Sequence, residues 1–206
     1  MAEADDTALV RVWDPLIRIG HWTLVAAFAI AWLSEDSASG LHSYAGYAIA
    51  AVVALRVAWG LVGPRHARFS DFITGPRRVL AYMRDLLSGQ AERHIGHSPA
   101  GGAMTVALLA ALALTALSGM ATLAVEDGKG PLAGLVAAEN LPNWTLEQDD
   151  HEAGHGNGEA LEEVHEAAAN ATLVLIVLHI AGVLAASLAH RENLVRAMFT
   201  GRKSAR

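Results

Sequence analysis

Cysteine is absent from the 206 residues. That excludes disulfides, thiolate-held iron–sulfur clusters and the CxxCH attachment of a c-type haem, and it leaves histidine to supply any soft ligation. Charge is scarce as well. Asp, Glu, Lys and Arg make up 17% of the chain against 53% hydrophobic residues, an apolar excess that a soluble domain of this size does not need. The opening MAEADDTALV has no basic segment leading into an apolar stretch and a small-residue cleavage site, so it does not read as a signal peptide, and the first apolar run is expected to direct insertion. No repeat of 20–50 residues is evident, and no run reads as a separate soluble domain.

What the chain does have is four apolar runs of the length a bilayer requires, about 20 residues for a core of roughly 30 Å. They cover about 12–33, 42–62, 102–125 and 164–189. Stretches such as YAGYAIAAVVAL, LLAALALTALSG and IAGVLAASLA are rich in small residues, which let helices approach closely where lipid supplies no hydrophobic force between them. The expectation is an all-α integral membrane four-helix bundle, one domain over 1–206.

The charges that remain are divided between alternate connections. Of fifteen Lys and Arg, thirteen lie beside the first run, in the connection GPRHARFSDFITGPRRVLAYMRDLLSGQAERH, or in the tail HRENLVRAMFTGRKSAR. The other connections are acidic, with Lys129 their single basic residue. By the positive-inside rule both termini are expected to be cytoplasmic, and in a bacterial inner membrane the acidic loops face the periplasm. Within the basic connection, Ser70 or Thr74 as a cap and apolar residues at helical spacing suggest a short amphipathic helix on the inner surface, against a plain solvated loop. The acidic loop, with Pro131, Pro142 and glycines to Gly158, reads as irregular.

Polar groups inside a span cost a few kcal/mol and normally have a partner. In VHEAAANATLVLIVLHIAG, His165 and His179 are fourteen residues apart, which is roughly 21 Å along a helix axis and about 1,400°, nearly four full turns, so both share a face. His42 opens the second run at the outer side, as His165 opens the fourth, and His21 lies roughly 18 Å below the outer end of the first. The four therefore form an outer pair, His42 with His165, and an inner pair, His21 with His179. Two imidazoles on facing helices with no carboxylate or cysteine beside them suit bis-histidine haem ligation, whereas zinc favours four close ligands. A haem with both axial positions filled favours electron transfer over oxygen binding.

Arg56 follows His42 by fourteen residues near the inner end of its helix, placed either to pair with a haem propionate or to reach the inner interface. Arg18, near His21, has the same two readings. Trp13, Trp22, Trp32 and Trp59 fit interfacial belts. In EQDDHEAGHGNGE, His151 and His155 stand among Asp149, Asp150 and Glu152, a weak cation signal against a solvated acidic loop. His66, His94, His97 and His190 are expected to be solvated on the cytoplasmic side.

RVWDPLIRIGHW, LHSYAGYAIAAVVALRVAWGLVGPRHARFSDF and HEAAANATLVLIVLHIAG resemble the bacterial cytochrome b561 and nickel–iron hydrogenase b-type cytochrome family, and the resemblance covers most of the chain. It implies two b-type haems on His21, His42, His165 and His179, and electron exchange between quinone and a redox partner. Four spans rather than five set the chain apart from the hydrogenase-subunit branch. The GPRHARFSDF connection looks like members that partner periplasmic c-type cytochromes. Another branch oxidises superoxide and reduces quinone, but outer loops with roughly a dozen acids would repel an anion and attract a basic cytochrome. A histidine-lined transporter ranks below these because the ligand levels pair so cleanly. No nucleic-acid partner is expected.

Overall fold

The computed structural model describes residues 9–35, 40–135 and 153–205, with no side-chain detail for 153–157. In chain order the elements are strand β1 (Leu9–Arg11), helices α1 (Pro15–Leu33) and α2 (Leu41–Val62), a 3-10 turn at Arg65–Ala67, helices α3 (Phe69–Phe72), α4 (Pro76–Leu87), α5 (Pro99–Asp127), α6 (Ala153–Ala189) and α7 (Leu194–Thr200), and strand β2 (Arg202–Ser204). Four of these, α1, α2, α5 and most of α6, are long and apolar enough to cross a membrane. The expected all-α architecture with four spans is what the protein has.

Local chemistry sets the helix ends. Asp14 precedes Pro15, and its Oδ1 accepts the Ile17 N–H at 3.0 Å; an acidic cap followed by proline at the first helical position is a strong start signal. The first span therefore begins at Pro15 rather than at Val12, whose backbone N–H instead donates to the Gly201 carbonyl. Ser98 caps α5 by accepting the Gly101 N–H at 3.1 Å, and Asn193 caps α7 by accepting the Arg196 N–H at 2.7 Å. The helix of the basic connection does form, but neither Ser70 nor Thr74 caps it: Gly75 stands at the cap with Pro76 just inside. The acidic segment also differs from its reading, because Gly154, Gly156 and Gly158 lie within α6. That helix starts eleven residues before the apolar run, continuing through EALEEVHEAAAN with its alanines and glutamates, which favour helix. Residues 136–152, with Asp149, Asp150, His151 and Glu152, lie outside the described residues, as does the His155 side chain.

The chain forms two compact units, each drawing on all four long helices. The first comprises Met1–Thr23, Ala54–Leu108 and Leu175–Arg206. Its core gathers Val12, Trp13, Ile17, Ala67 and Ala197, with Trp59 and Met198 packed on it, and Trp59 Nε1 donates to Asp14 Oδ2 at 3.1 Å. Trp13 is thus a core residue and not part of an interfacial belt. A two-stranded antiparallel ribbon pairs Val10 with Lys203, and Gly201, at φ 76° in the left-handed region, ends α7 and turns the chain into it.

The second unit comprises Leu24–Val53 and Leu109–Val174, a bundle whose core is Ala27, Ile49, Val53, Leu112 and Ala116. Thr115 and Thr172 hydroxyls meet at 3.1 Å between α5 and α6; each has a single proton, so one donates across to the other, which in turn donates to the Ala111 or Ala168 carbonyl of its own helix. Thr172 is fully buried. Interhelical hydroxyl pairs of this kind contribute about 0.6–1.7 kcal/mol in lipid.

Candidate haem-ligand sites

Each unit carries one of the two expected histidine pairs. In the second unit, the His42 ring at the start of α2 faces His165 of α6, with centroids 5.9 Å apart and planes inclined by 82°. His42 Nδ1 lies 2.9 Å from the Ala31 carbonyl, and His165 Nδ1 lies 2.9 Å from the Thr115 carbonyl. A carbonyl only accepts, so both Nδ1 atoms carry the proton and both Nε2 atoms keep a free lone pair. This is the arrangement that fixes tautomer and orientation in histidine ligands. Ser118 Oγ, which donates to the Thr115 carbonyl at 3.0 Å, stands 3.3 Å from the same His165 nitrogen. Space around this ring comes from Gly119, where a Cβ would fall 2.8 Å from His165 Cε1.

In the first unit, His21 of α1 faces His179 of α6, with centroids 6.4 Å apart and planes inclined by 56°. His21 also meets the edge of Trp22 at 5.1 Å, and Trp22 stacks on Phe199 at 4.2 Å. His21 Nδ1 and Trp22 Nε1 are buried without a hydrogen-bond partner among the described residues. Among the described residues, His21 Nδ1 therefore lacks the carbonyl bond that orients His42 and His165.

In donor chemistry these pairs suit haem: each brings together two imidazoles from different helices, and His42 with His165 or His21 with His179 would offer an iron one nitrogen apiece. Among the described residues no group of three or more His, Asp or Glu gathers as a metal cage, so each pair supplies two nitrogens and nothing more.

The two arginines lie in the first unit. Arg56 is buried at 9% exposure, its guanidinium 5.1 Å from the Phe69 ring centre and 6.0 Å from that of Phe72. Its Nη1 is buried with no partner among the described residues, so it does not reach out to water at an interface. Arg18 donates through Nη2 to the Phe199 carbonyl, and its Nε is buried without a partner among the described residues.

The histidines expected to be solvated, His66, His94, His97 and His190, are not simply so. His97 packs between Trp13 at 4.6 Å and Phe72 at 4.2 Å. Its Nδ1 is buried and unpartnered among the described residues. Burial first, then the positive charges of Arg56 and His66, push its pKa down to about 3, so it is neutral at physiological pH. His66 sits 3.2 Å from Asp71 Oδ2, and His190 lies 3.3 Å from the Tyr82 hydroxyl. A further charged group has no motif in the sequence: Glu192 binds Arg93 at 2.8 Å and Lys203 at 3.3 Å, and Lys203 is 5% exposed. Burial raises the Glu192 pKa, but Arg93 and Lys203 outweigh it and hold the carboxyl below its usual range.

One family model, prokaryotic cytochrome b561, matches residues 12–201. The chain belongs to the prokaryotic cytochrome b561 family. It is accordingly a multi-pass membrane protein that binds b-type haem and acts in electron transfer. No curated protein and no solved structure matches it.

Proposed function

We propose that this cytochrome b561 family member is a two-haem relay in a bacterial inner membrane, passing electrons between the quinone pool and a periplasmic redox partner such as a c-type cytochrome. The observation that carries the reading is the paired imidazoles, one pair in each unit, at 5.9 Å and 6.4 Å. When bound, haem b supplies a one-electron iron couple. His42 and His165 would hold the outer group, each presenting Nε2 because its Nδ1 proton is engaged by a carbonyl. His21 and His179 would hold the inner group. With two protein nitrogens offered to one iron, each site would suit electron transfer rather than oxygen binding.

Arg56 and Arg18 are suited to face the inner propionates: each carries a buried N–H with no acceptor among the described residues, and a guanidinium pairs with carboxylate through charge-assisted bonds. Both termini and the basic connection lie on the cytoplasmic side, as the division of Lys and Arg requires. The acidic outer loops suit a basic partner. The test is an optical one: the purified protein gives a b-type reduced spectrum and is oxidised by a basic c-type cytochrome in a salt-sensitive reaction. Absence of a Soret band would overturn the reading.

A further inference from the structure

Helix α4 divides its surface into four stripes. At 100° per residue, Tyr82, Leu86 and Val79 occupy one side; Tyr82 is buried at 7% exposure and its hydroxyl lies 3.3 Å from His190, so this side packs on the protein. Next around the helix come Leu80, Met83 and Leu87, within about 60° of arc, and they are 66%, 48% and 89% exposed. Arg77 and Arg84 follow, one behind the other and roughly 10 Å apart along the axis. Arg78 and Asp85 share the remaining side. All three arginines are exposed.

We infer that α4 is a lipid-binding helix of the cytoplasmic leaflet, with the Leu80–Met83–Leu87 row sunk at the acyl boundary and Arg77 and Arg84 holding the phosphates of anionic phospholipids. An uncovered apolar row beside a protein-packed side leaves the helix no freedom to roll that row away from the bilayer. The basic stripe borders the row along one edge, where phosphate groups meet the hydrocarbon of an interfacial helix. No acidic residue shares that stripe, since Asp85 lies some 80–100° beyond it. Arg78 carries the same charge on the water side and is therefore an internal control. Haem plays no part in this reading.

The absence of cysteine makes the test direct. The haem-loaded protein carrying Met83→Cys or Asp85→Cys is spin-labelled and reconstituted in phosphatidylcholine bilayers with and without phosphatidylglycerol. The label at position 83 is expected to be open to oxygen and closed to a polar nickel chelate, and the label at 85 the reverse. Lipid preference is read from the fraction of spin-labelled phosphatidylglycerol held at the protein, against spin-labelled phosphatidylcholine. Each arginine at an anionic surface is worth about fivefold, so Arg77→Gln with Arg84→Gln lowers that preference by roughly 25-fold, while Arg78→Gln, on the water side, leaves it nearly unchanged. A label at 83 as wet as that at 85 would mean that the row faces solvent, and one closed to both oxygen and the chelate that protein covers it; either would overturn the inference. So would equal loss from Arg78→Gln. Unchanged haem content in each variant confirms that the fold is intact when the lipid signal is read.

Discussion

His165 and Gly119 are in a contact that only glycine permits: a Cβ at position 119 would lie 2.8 Å from the imidazole Cε1. Gly119→Ala should raise local helix propensity by about 1 kcal/mol and still harm the site, because the ring must turn and strain its 2.9 Å bond to the Thr115 carbonyl. The expected result is a shifted or lost outer-haem signal with the inner one retained, followed by low-temperature optical spectra of the two α-bands.

Arg56 should set the potential of the inner haem. Replacing its guanidinium with the neutral amide of Arg56→Gln removes a positive charge, which weakens the reduced state by roughly 1–2 kcal/mol at an effective dielectric near 20. The inner midpoint potential falls accordingly, and the outer one moves less. Potentiometric titration of the two haems measures both.

His97 makes stability depend on pH. Its imidazole ionises at about 3 in the folded protein against an ordinary 6.5, so below 6.5 the unfolded chain binds the extra proton. Its contribution is complete above pH 6.5 and is lost as the pH falls from 6.5 towards 3. Thermal unfolding midpoints in detergent should decline over that window, and the decline should be shallower in His97→Gln by the equivalent of one proton.

Glu192 anchors the C-terminal strand. With its partners Arg93 and Lys203 only 22% and 5% exposed, Glu192→Gln leaves two nearby cations without their counter-charge and should destabilise this corner by about 2–4 kcal/mol. Hydrogen exchange at residues 202–204 and protease cutting near the C-terminus should both rise, with haem content unaffected.

The parts legible in the sequence were those written in a single helix. The four spans follow from run length, and the matching of His165 with His179 follows from a fourteen-residue gap close to four helical turns. The pairing of His42 with His165 and of His21 with His179 was legible through depth alone, because a bilayer fixes the level of a residue from its distance to the helix end. What was not legible depends on contacts between distant segments. His97 looked like a loop histidine, and nothing near it announces that Trp13 and Phe72 will enclose it. The ribbon joins three residues near one terminus to three near the other, and the Lys203 ammonium is met by Glu192 and by the His94 carbonyl. The start of α6 was misread for a local reason: three glycines in five residues weaken a helix, but the EALEE segment that follows carries it.

The most direct measurement of the central claim is the haem-to-protein ratio, by pyridine haemochrome, in the wild type and in His21→Ala, His42→Ala, His165→Ala and His179→Ala. Two paired sites predict about two haems in the wild type and about one in each variant, with His42→Ala and His165→Ala losing one spectral component and His21→Ala and His179→Ala the other. A ratio unchanged across all four variants would contradict the account.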